Sequence, residues 1–501
     1  MNKIKIFKNN IIACICMTFA LISCADLDED PSISNLAPGA YSSQEELELG
    51  VTGIYGKLRD ASQWTSFYVT GFGGDDITTH KVSNKIDFRA FDIRSVNGAN
   101  SKTVGVWKDV YAMIRTANLV LESAEDLVLS DASVKDRLLG EVYFLRGTLF
   151  FHLARTHGRI PLPLTSEPDF EIALSSQLEV YEQIESDLLL AEKLLPSIYP
   201  DVNAGAPRPN SGSARAILAR LYMDWAGFPL KDNTRYNLAA SSAKQVIDNA
   251  GSHGFGLLDD LEDLWSLNNR FNKESVWSIS YCVTCGTPNR KYGKLGHPGD
   301  LLGWQETFAE IKFFEDFPEG PRKEATYRTD YDWENFSDQV TPVFKKIVGP
   351  GDEISLDDFD TNRNDFYMRY AEVLLIYAEA SGRSGNVTTE AWESLNKIRR
   401  RAEGLPFDEP NAIVDVTSGD IAELAFAERK WEFAGEFIRW NDLVRMERVE
   451  EALSDRVPRV SRNAAGELVQ VQNEIIGSLG TDNYFAPIPT REIILNPNLD
   501  N

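Results

Sequence analysis

Apolar side chains recur at spacings of three and four residues along much of this chain, which is the pattern of helices that bury one face. The pattern is clearest in the stretch 366–402. In its first half, Tyr370, Leu374 and Tyr377 fall on one face of a predicted helix. A pair of glycines then interrupts the pattern and ends that helix.

A second helix is predicted directly after the glycines. Thr388 or Thr389 suits its N-cap, because a hydroxyl there accepts a hydrogen bond from a free backbone N–H. Ala391, Leu395 and Ile398 then share one face. Neither helix can bury its apolar stripe alone, so the two form a hairpin that has to stack on other hairpins.

Similar patterns predict paired helices in two blocks, 133–250 and 366–446. They are typical of imperfect tetratricopeptide-like hairpins, which stack to bury a continuous core. The predicted fold class is therefore mainly α, with these hairpins supporting a large irregular lobe that has little β structure. The individual helices are expected at 42–60, 107–127, 136–153, 180–195, 214–225, 239–250 and 421–446.

Two segments lack this helical period. The segment 61–106 is rich in aromatic and acidic residues, and 251–364 is rich in glycine, proline, aromatic and acidic residues. Such composition is typical of irregular structure that carries function on a rigid scaffold. We assign both segments to the irregular lobe.

The N-terminus has the features of a targeting sequence. Three lysines precede the apolar run 11–22, which is too short to span a bilayer. Leu-Ile-Ser before Cys24 resembles the lipobox of bacterial lipoproteins. The resemblance implies removal of residues 1–23, acylation of Cys24 and a membrane anchor. The alternative is a plain secretory signal with an incidental cysteine.

Acidic residues affect both the predicted location and the expected partners. Directly after the lipobox, Asp26, Asp28, Glu29 and Asp30 resemble a run that marks surface-exported lipoproteins in one group of Gram-negative bacteria. The formal net charge of the whole chain is −25. Because such a surface repels phosphate backbones, we do not expect nucleic acid as a partner.

Cys282 and Cys285 are spaced C-x-x-C. A zinc site needs about four ligands, and only His297 lies near in sequence. A thioredoxin-like motif needs a βαβ context, which is absent. The remaining alternatives are a tight disulfide or two free thiols. We predict the disulfide, because thiols of exported proteins often oxidise.

No catalytic motif stands out in the sequence. There is no H-E-x-x-H pair, no G-x-S-x-G elbow and no Walker A loop. A glycosidase would need two carboxylates across a sugar. The best candidates are interleaved with arginines at helical spacing, so we predict that they form a structural ion-pair network. These carboxylates are Glu428, Glu432, Glu436 and Asp442.

No cofactor is expected. Asp358, Asp360 and Asn362 imitate the first ligands of an EF-hand loop, but the glycine position holds Arg363 and the last position holds Arg369. The EF-hand motif therefore fails. The acidic insert still leaves a looser structural calcium site open.

Five blocks, taken in order, resemble the SusD/RagB family of nutrient-binding outer-membrane lipoproteins. They are GEVYFLRGTLFFHLARTHGRIPLPL (140–164), PNSGSARAILARLYMDWAG (209–227), 368–402, ERKWEFAGEFIRWNDL (428–443) and PIPTREIILNPNL (487–499). The resemblance implies tetratricopeptide-like helices supporting an irregular lobe in one domain, 24–501. It also implies a non-enzymatic protein that binds oligosaccharides or peptides as a lid on a SusC-like TonB-dependent β-barrel transporter.

The same resemblance places the ligand site in the early loops and in the insert. Sugar binding needs aromatic rings for stacking and planar polar groups for the hydroxyls. We expect at least one early ring and one insert ring to line a shared surface. The candidates are Trp64, Tyr68, Asp75, Asp76 and Arg89 in the early segment and Tyr281, Tyr292, Trp304 and Trp333 in the insert.

The sequence thus predicts a lipid-anchored outer-membrane protein, facing the cell exterior, that captures a glycan for a partner transporter. Capture of peptides by the same architecture is one alternative. A surface glycosidase is a second alternative, which the ion-paired carboxylates disfavour. A helical scaffold for protein partners is the third, but it explains neither the lipobox nor the insert.

Overall fold

The computed structural model describes residues 41–79, 85–199, 208–291, 297, 303, 307–329, 342–349, 360–454, 456, 460–462, 465–470 and 473–500. The predicted signal peptide and the predicted lipidation site Cys24 lie outside the described residues.

Most helices of the first half occur where the hydrophobic pattern predicts them. They are α1 (Gln44–Ala61), α2 (Ile86–Asp92), α3 (Ser101–Ala124), α4 (Ala132–His157), α5 (Gln177–Leu194), α6 (Ser211–Ala226) and α7 (Arg235–Asp248). Polar side chains fix their starts. Ser43 caps α1, Asn100 caps α3 and Ser176 caps α5 by accepting hydrogen bonds from the first turn. Glu179 completes the capping box by accepting a hydrogen bond from the Ser176 backbone N–H.

These helices stack in sequence order. α4 packs against α5, α5 against α6, and α6 against α7. Leu149, Ile184 and Leu218 have no exposed surface in this stack. Gly147 permits a close approach of α4 and α5, because a Cβ added there would lie 3.1 Å from the Cβ of Asp187. The predicted stacking of tetratricopeptide-like hairpins is confirmed.

The second half continues the same layer. Its helices are α8 (Ala250–His253), α9 (Ile311–Asp316), α10 (Pro321–Thr326), α11 (Lys345–Val348), α12 (Tyr370–Arg383), α13 (Thr389–Ala402), α14 (Ile421–Glu432), α15 (Arg439–Arg445), α16 (Val449–Leu453) and α17 (Thr490–Leu495). α12 packs against α7, α13 and α14. Thr388 caps α13 by accepting a hydrogen bond from the backbone N–H of Ala391 at 3.1 Å.

Two helix predictions need correction here. The stretch 366–369 is not helical but belongs to strand β6 (Asp365–Arg369), which pairs with β2 (Ser275–Ile279). The predicted helix 421–446 is interrupted between α14 and α15. The backbone there turns through left-handed conformations at Gly435 (φ +77°) and Phe437 (φ +63°). The apolar spacing continues across the interruption, so the pattern does not reveal it.

The lobe segments hold more helix than expected and little β structure. The loop-rich early segment contains a 3₁₀ helix (Gln63–Gly73) and α2. Besides β2 and β6, the described strands are β1 (Ile77–Thr78), β3 (Phe308–Ala309), β4 (Tyr327–Arg328), β5 (Val343–Phe344), β7 (Val460–Arg462) and β8 (Leu468–Gln470). They pair two by two, as β1–β3, β2–β6, β4–β5 and β7–β8. The fold is mainly α, as the sequence predicts.

Buried ion pairs join the helical layer to the lobe. Glu432 on α14 accepts hydrogen bonds from Arg401 on α13 (2.9 Å) and Arg369 on β6 (3.2 Å). Glu274, one residue before β2, accepts hydrogen bonds from the same two arginines. The predicted ion-pair network is confirmed, because a lysine or an arginine binds each of Glu428, Glu432, Glu436 and Asp442.

None of the helices within the described ranges is both long enough and apolar enough to cross a membrane.

Candidate ligand-binding surface

The start of the early 3₁₀ helix is held directly against the insert. The Gln63 side chain donates a hydrogen bond to the carbonyl of Pro288 (2.6 Å) and accepts one from the backbone N–H of Arg290 (2.8 Å). The two segments are more than 220 residues apart in sequence, and this side chain joins them. The structure therefore brings part of the early segment and part of the insert together.

Trp64 lies at this junction and is half-buried. Its backbone is left-handed (φ +56°), and so is that of Thr65 (φ +58°). A non-glycine residue in this region carries a conformational cost of about 1–3 kcal/mol, and surrounding contacts have to hold it there. Such residues cluster at binding sites, so the conformation supports Trp64 as a ligand-contacting side chain.

Tyr68 lies one turn further along and offers less free surface than the sequence suggests. The Lys291 Nζ atom lies 3.9 Å from the centroid of its ring, and the rings of Phe67 and Phe437 lie 5.5 and 5.8 Å away. Lys291 also donates a hydrogen bond to Asp365 at 3.0 Å. The contacts of Lys291, Phe67 and Phe437 fix the orientation of the half-buried Tyr68 ring.

Asp75 and Asp76 are buried, which corrects their assignment as ligand residues. Asp75 accepts two hydrogen bonds from Arg439, at 2.7 and 3.3 Å. Asp76 is fully buried and accepts a hydrogen bond from the backbone N–H of Gly435 at 2.8 Å. Asp76 thus attaches the early segment to the interruption between α14 and α15, and Asp75 attaches it to the first residue of α15. We assign them a structural role.

Asp76 should make folding stability depend on pH. Burial, and next the charge of Asp75, raise its pKa from 3.8 to about 7. The folded chain therefore keeps this proton over a range where the unfolded chain loses it, and stability falls as pH rises from about 4 to 7. We expect Asp76→Asn to remove this dependence. Between pH 5 and pH 8, the free energy of unfolding of the variant should rise by about 2 kcal/mol relative to that of wild type, as measured by urea unfolding. A difference in unfolding free energy between the variant and wild type that stays constant across this pH range would contradict the raised pKa of Asp76.

Arg89 lies on α2 and is half-buried. The neighbouring Phe88 packs against Phe72 of the early 3₁₀ helix, with ring centroids 5.1 Å apart. Arg89 is therefore carried by a helix that rests on the same segment as Trp64 and Tyr68.

Tyr281 also needs correction, because it belongs to the core. It is 2% exposed, and its hydroxyl donates a hydrogen bond to Asp365 at 2.9 Å. A ring in this position has no free face for a ligand. Tyr292, Trp304 and Trp333 lie outside the described residues, so their assignment stays a prediction.

Cys282 and Cys285 are joined by a disulfide in the structure. It closes a short hairpin in which the backbone N–H of Cys282 donates to the carbonyl of Thr287 at 2.8 Å and Thr287 returns the bond at 2.9 Å. The Val283 backbone N–H donates to the Asn362 side chain at 2.8 Å. The hairpin leads directly to Pro288, which the Gln63 side chain contacts.

We expect the native, unreduced protein to show no free thiol at these two positions. The double replacement Cys282→Ser and Cys285→Ser should lower the free energy of unfolding by at most about 2 kcal/mol, because the closed loop is short and the entropic gain grows with loop length. Thiol titration under denaturing conditions and urea unfolding are the measurements. Two titratable thiols in untreated protein would reject the prediction.

Gln63 and Arg290 are not among the residues that the sequence predicts for this surface. Arg290 is exposed and forms an ion pair with Asp360 at 2.9 Å, so this part of the insert presents both a cation and an anion near the junction. Within the described residues, no group of three or more His, Cys, Asp or Glu side chains is placed to hold a metal ion. No signal in the sequence pairs Gln63 with a partner so distant along the chain.

Comparisons with known proteins agree with the fold. Two family models match the chain, one described as the SusD family over residues 284–501 and one described as starch-binding, associating with the outer membrane, over residues 27–223. The SusD-like protein P2 of Formosa agariphila is 26% identical to the chain, over 97% of this chain and 98% of that protein.

Solved structures share the same fold. A laminarin-binding SusD-like protein superposes with a TM-score of 0.70 at 22% identity, covering 91% of this chain and 98% of its own. Surface glycan-binding protein A from Bacteroides fluxus also has a TM-score of 0.70 at 22% identity, with 91% and 97% covered. The two family models together match residues 27–223 and 284–501, and the chain belongs to the SusD/RagB family.

Proposed function

We propose that this chain is a cell-surface lipoprotein that captures an oligosaccharide or polysaccharide and delivers it to a partner SusC-like TonB-dependent β-barrel transporter. In this proposal Cys24 carries the lipid anchor in the outer membrane, and the lobe faces the cell exterior. Recognition is non-covalent and needs no cofactor.

The observation that carries the proposal is the junction at Gln63. It holds Trp64, a half-buried aromatic ring with a left-handed backbone, where the early segment meets the insert. Aromatic rings contribute dispersion and desolvation against the C–H face of a sugar, while planar polar groups bind its hydroxyls. Arg290 and Asp360 supply such polar groups on the insert side.

The buried carboxylates support binding rather than hydrolysis. A retaining or an inverting glycosidase needs one acid and one base with separate environments across the sugar. Glu432 is instead shared among Arg401, Arg369 and Arg322. Asp442 is bound by Arg429 and Arg445. The proposed ligand surface therefore retains Trp64, Tyr68 and Arg89, together with Tyr292, Trp304 and Trp333, and no catalytic residue.

Trp64→Ala should weaken glycan binding by about 1–3 kcal/mol, the range of aromatic hot spots. Folding stability should change little, because alanine pays a similar cost for the left-handed backbone and the ring lies outside the core. Titration calorimetry beside thermal unfolding separates the two effects.

Two variants serve as controls for this experiment. Trp64→Phe keeps a flat ring and should retain most of the affinity. Ile413→Ala removes a side chain that is 94% exposed on a different loop and should change neither quantity. Loss of melting temperature with unchanged affinity in Trp64→Ala would place the ring in the core and contradict the proposal.

A further inference from the structure

A cavity of about 430 Å³ lies outside the surface described above. Its walls come from α3, from the loop 161–172 and from the C-terminal residues 492–499. It is larger than the cavity of about 270 Å³ that Asp75 and Arg439 line. Its volume falls in the range of roughly 300–1,000 Å³ that is usual for ligand pockets.

Aromatic rings are held rigidly in this cavity. The hydroxyl of the half-buried Tyr111 donates a hydrogen bond to the carbonyl of Pro161 at 2.8 Å, and the buried Trp107 packs against the Tyr111 ring with ring centroids 4.8 Å apart. Phe170 also lines the cavity and is 79% exposed although it is a large apolar side chain. A cavity lined by one fixed ring and one exposed ring suits the insertion of a flat, partly apolar group such as a sugar ring.

Polar groups of both signs surround the same opening. Lys108 and Arg115 are exposed on α3, two turns apart, and the Arg115 Nε donates to the carbonyl of Ser166 at 2.9 Å. Glu167 and Asp169 lie on the opposite loop and are also exposed. Sugar hydroxyls both donate and accept hydrogen bonds, so a rim with donors and acceptors matches them.

The cavity lies close to the candidate surface along α3. Near the start of this helix, the Lys102 Nζ lies 3.4 Å from the Ser66 hydroxyl, within the segment that carries Trp64 and Tyr68. At about 1.5 Å of rise per residue, Lys108 lies about 9 Å further along the helix axis and Tyr111 about 14 Å. An extended glycan of a few residues would span this distance.

A second path of contacts connects the two places across α4. The ring of His152 stacks on Phe67 at 3.7 Å, and His157, little more than one turn later, contacts Trp107. The segment that carries Trp64 and the cavity therefore contact the same two helices, α3 and α4, and the core fixes their spacing.

We propose that this cavity is a second subsite for the same glycan chain, in which a sugar ring lies between Phe170 and Tyr111. The proposal rests on the proposed function. Two subsites on one rigid scaffold convert the second contact into an intramolecular event, so a polysaccharide gains affinity that a disaccharide does not. The cavity thereby favours long chains over short ones.

The test compares the double variant Phe170→Ala, Lys108→Ala with wild type and with Ile413→Ala, using residues 25–501. Both replaced side chains are exposed, so the fold should be unaffected. The probes are starch, laminarin and other arrayed soluble polysaccharides, each with its disaccharide. For a polysaccharide that the wild-type protein binds, we expect the double variant to bind at least about tenfold more weakly, while its affinity for the corresponding disaccharide stays unchanged. Trp64→Ala should instead weaken both.

Hydrogen exchange provides a second readout on the wild-type protein. The bound polysaccharide should slow exchange in 161–172 and 490–496, whereas the disaccharide should not. If the double variant keeps its polysaccharide affinity and the polysaccharide does not slow hydrogen exchange in these segments, the second subsite is wrong. The proposed function is not affected by this result. This outcome would instead fit a protein partner covering the exposed rings. If wild type retains no glycan at all, the proposed function and the subsite both fail.

Discussion

Glu432→Ala is expected to lower the free energy of unfolding by about 3–5 kcal/mol, because it leaves buried charges without their partner. Arg369 and Arg401 are 2% and 1% exposed, and both donate hydrogen bonds to Glu432. Glu274 would remain as their shared acceptor and Glu436 would still accept hydrogen bonds from Arg369, so Arg401 would keep Glu274 as its carboxylate partner in the core. Urea unfolding measures the loss directly.

The matched control for Glu432→Ala is Glu451→Ala. Glu451 also faces an arginine, Arg448 at 3.7 Å, but its side chain is 73% exposed. Exposed pairs contribute roughly 0–1 kcal/mol, so this variant should unfold almost like wild type. Similar losses in the two variants would contradict the structural role assigned to the buried network.

The effect of Glu432 should also fade in acid. Burial by itself raises its pKa, but the charges of Arg401, Arg369 and Arg322 outweigh burial and lower the pKa to about 2. A lowered pKa stabilises the fold above the unfolded value near 4.5, and this stabilisation is lost as pH falls toward 2. The difference between wild type and Glu432→Ala should therefore shrink steadily below pH 5.

Cys24→Ala is expected to abolish membrane attachment completely. The acyl chains on Cys24 would be the only anchor in the proposal, and each buried CH₂ contributes about 0.8 kcal/mol, so losing several chains removes the whole affinity. Fractionation of outer membranes and protease accessibility on intact cells are the measurements. The control Cys282→Ser, Cys285→Ser changes cysteines of the lobe and should remain anchored. A Cys24→Ala protein that still sediments with outer membranes would rule out this anchor.

The helical layer could be predicted from sequence because its signals are local. Apolar spacing and the hydroxyl of Thr388 define α12 and α13 without information from elsewhere in the chain. The same logic failed at 366–369, where Tyr367 fits the helical spacing although the backbone pairs with β2. It failed again at Gly435, since the interruption depends on contacts with Asp76.

The candidate site was harder to predict because burial is set by distant partners. The ring and the hydroxyl of Tyr281 suit sugar binding, yet its hydroxyl donates a hydrogen bond to Asp365 inside the core. The carboxylate of Asp75 could bind sugar hydroxyls, but it is ion-paired with Arg439, which lies more than 360 residues later in the sequence. Conversely, Gln63 carries no motif, and only the fold shows that it joins the two segments.

The most direct test of the central claim is a binding screen with residues 25–501 on arrayed glycans and arrayed peptides, followed by calorimetry on whatever is retained. We expect that at least one oligosaccharide or polysaccharide is retained and that Trp64→Ala weakens this binding by about 1–3 kcal/mol. Retention of peptides with no glycan bound, or glycan binding that does not respond to Trp64→Ala, would contradict it.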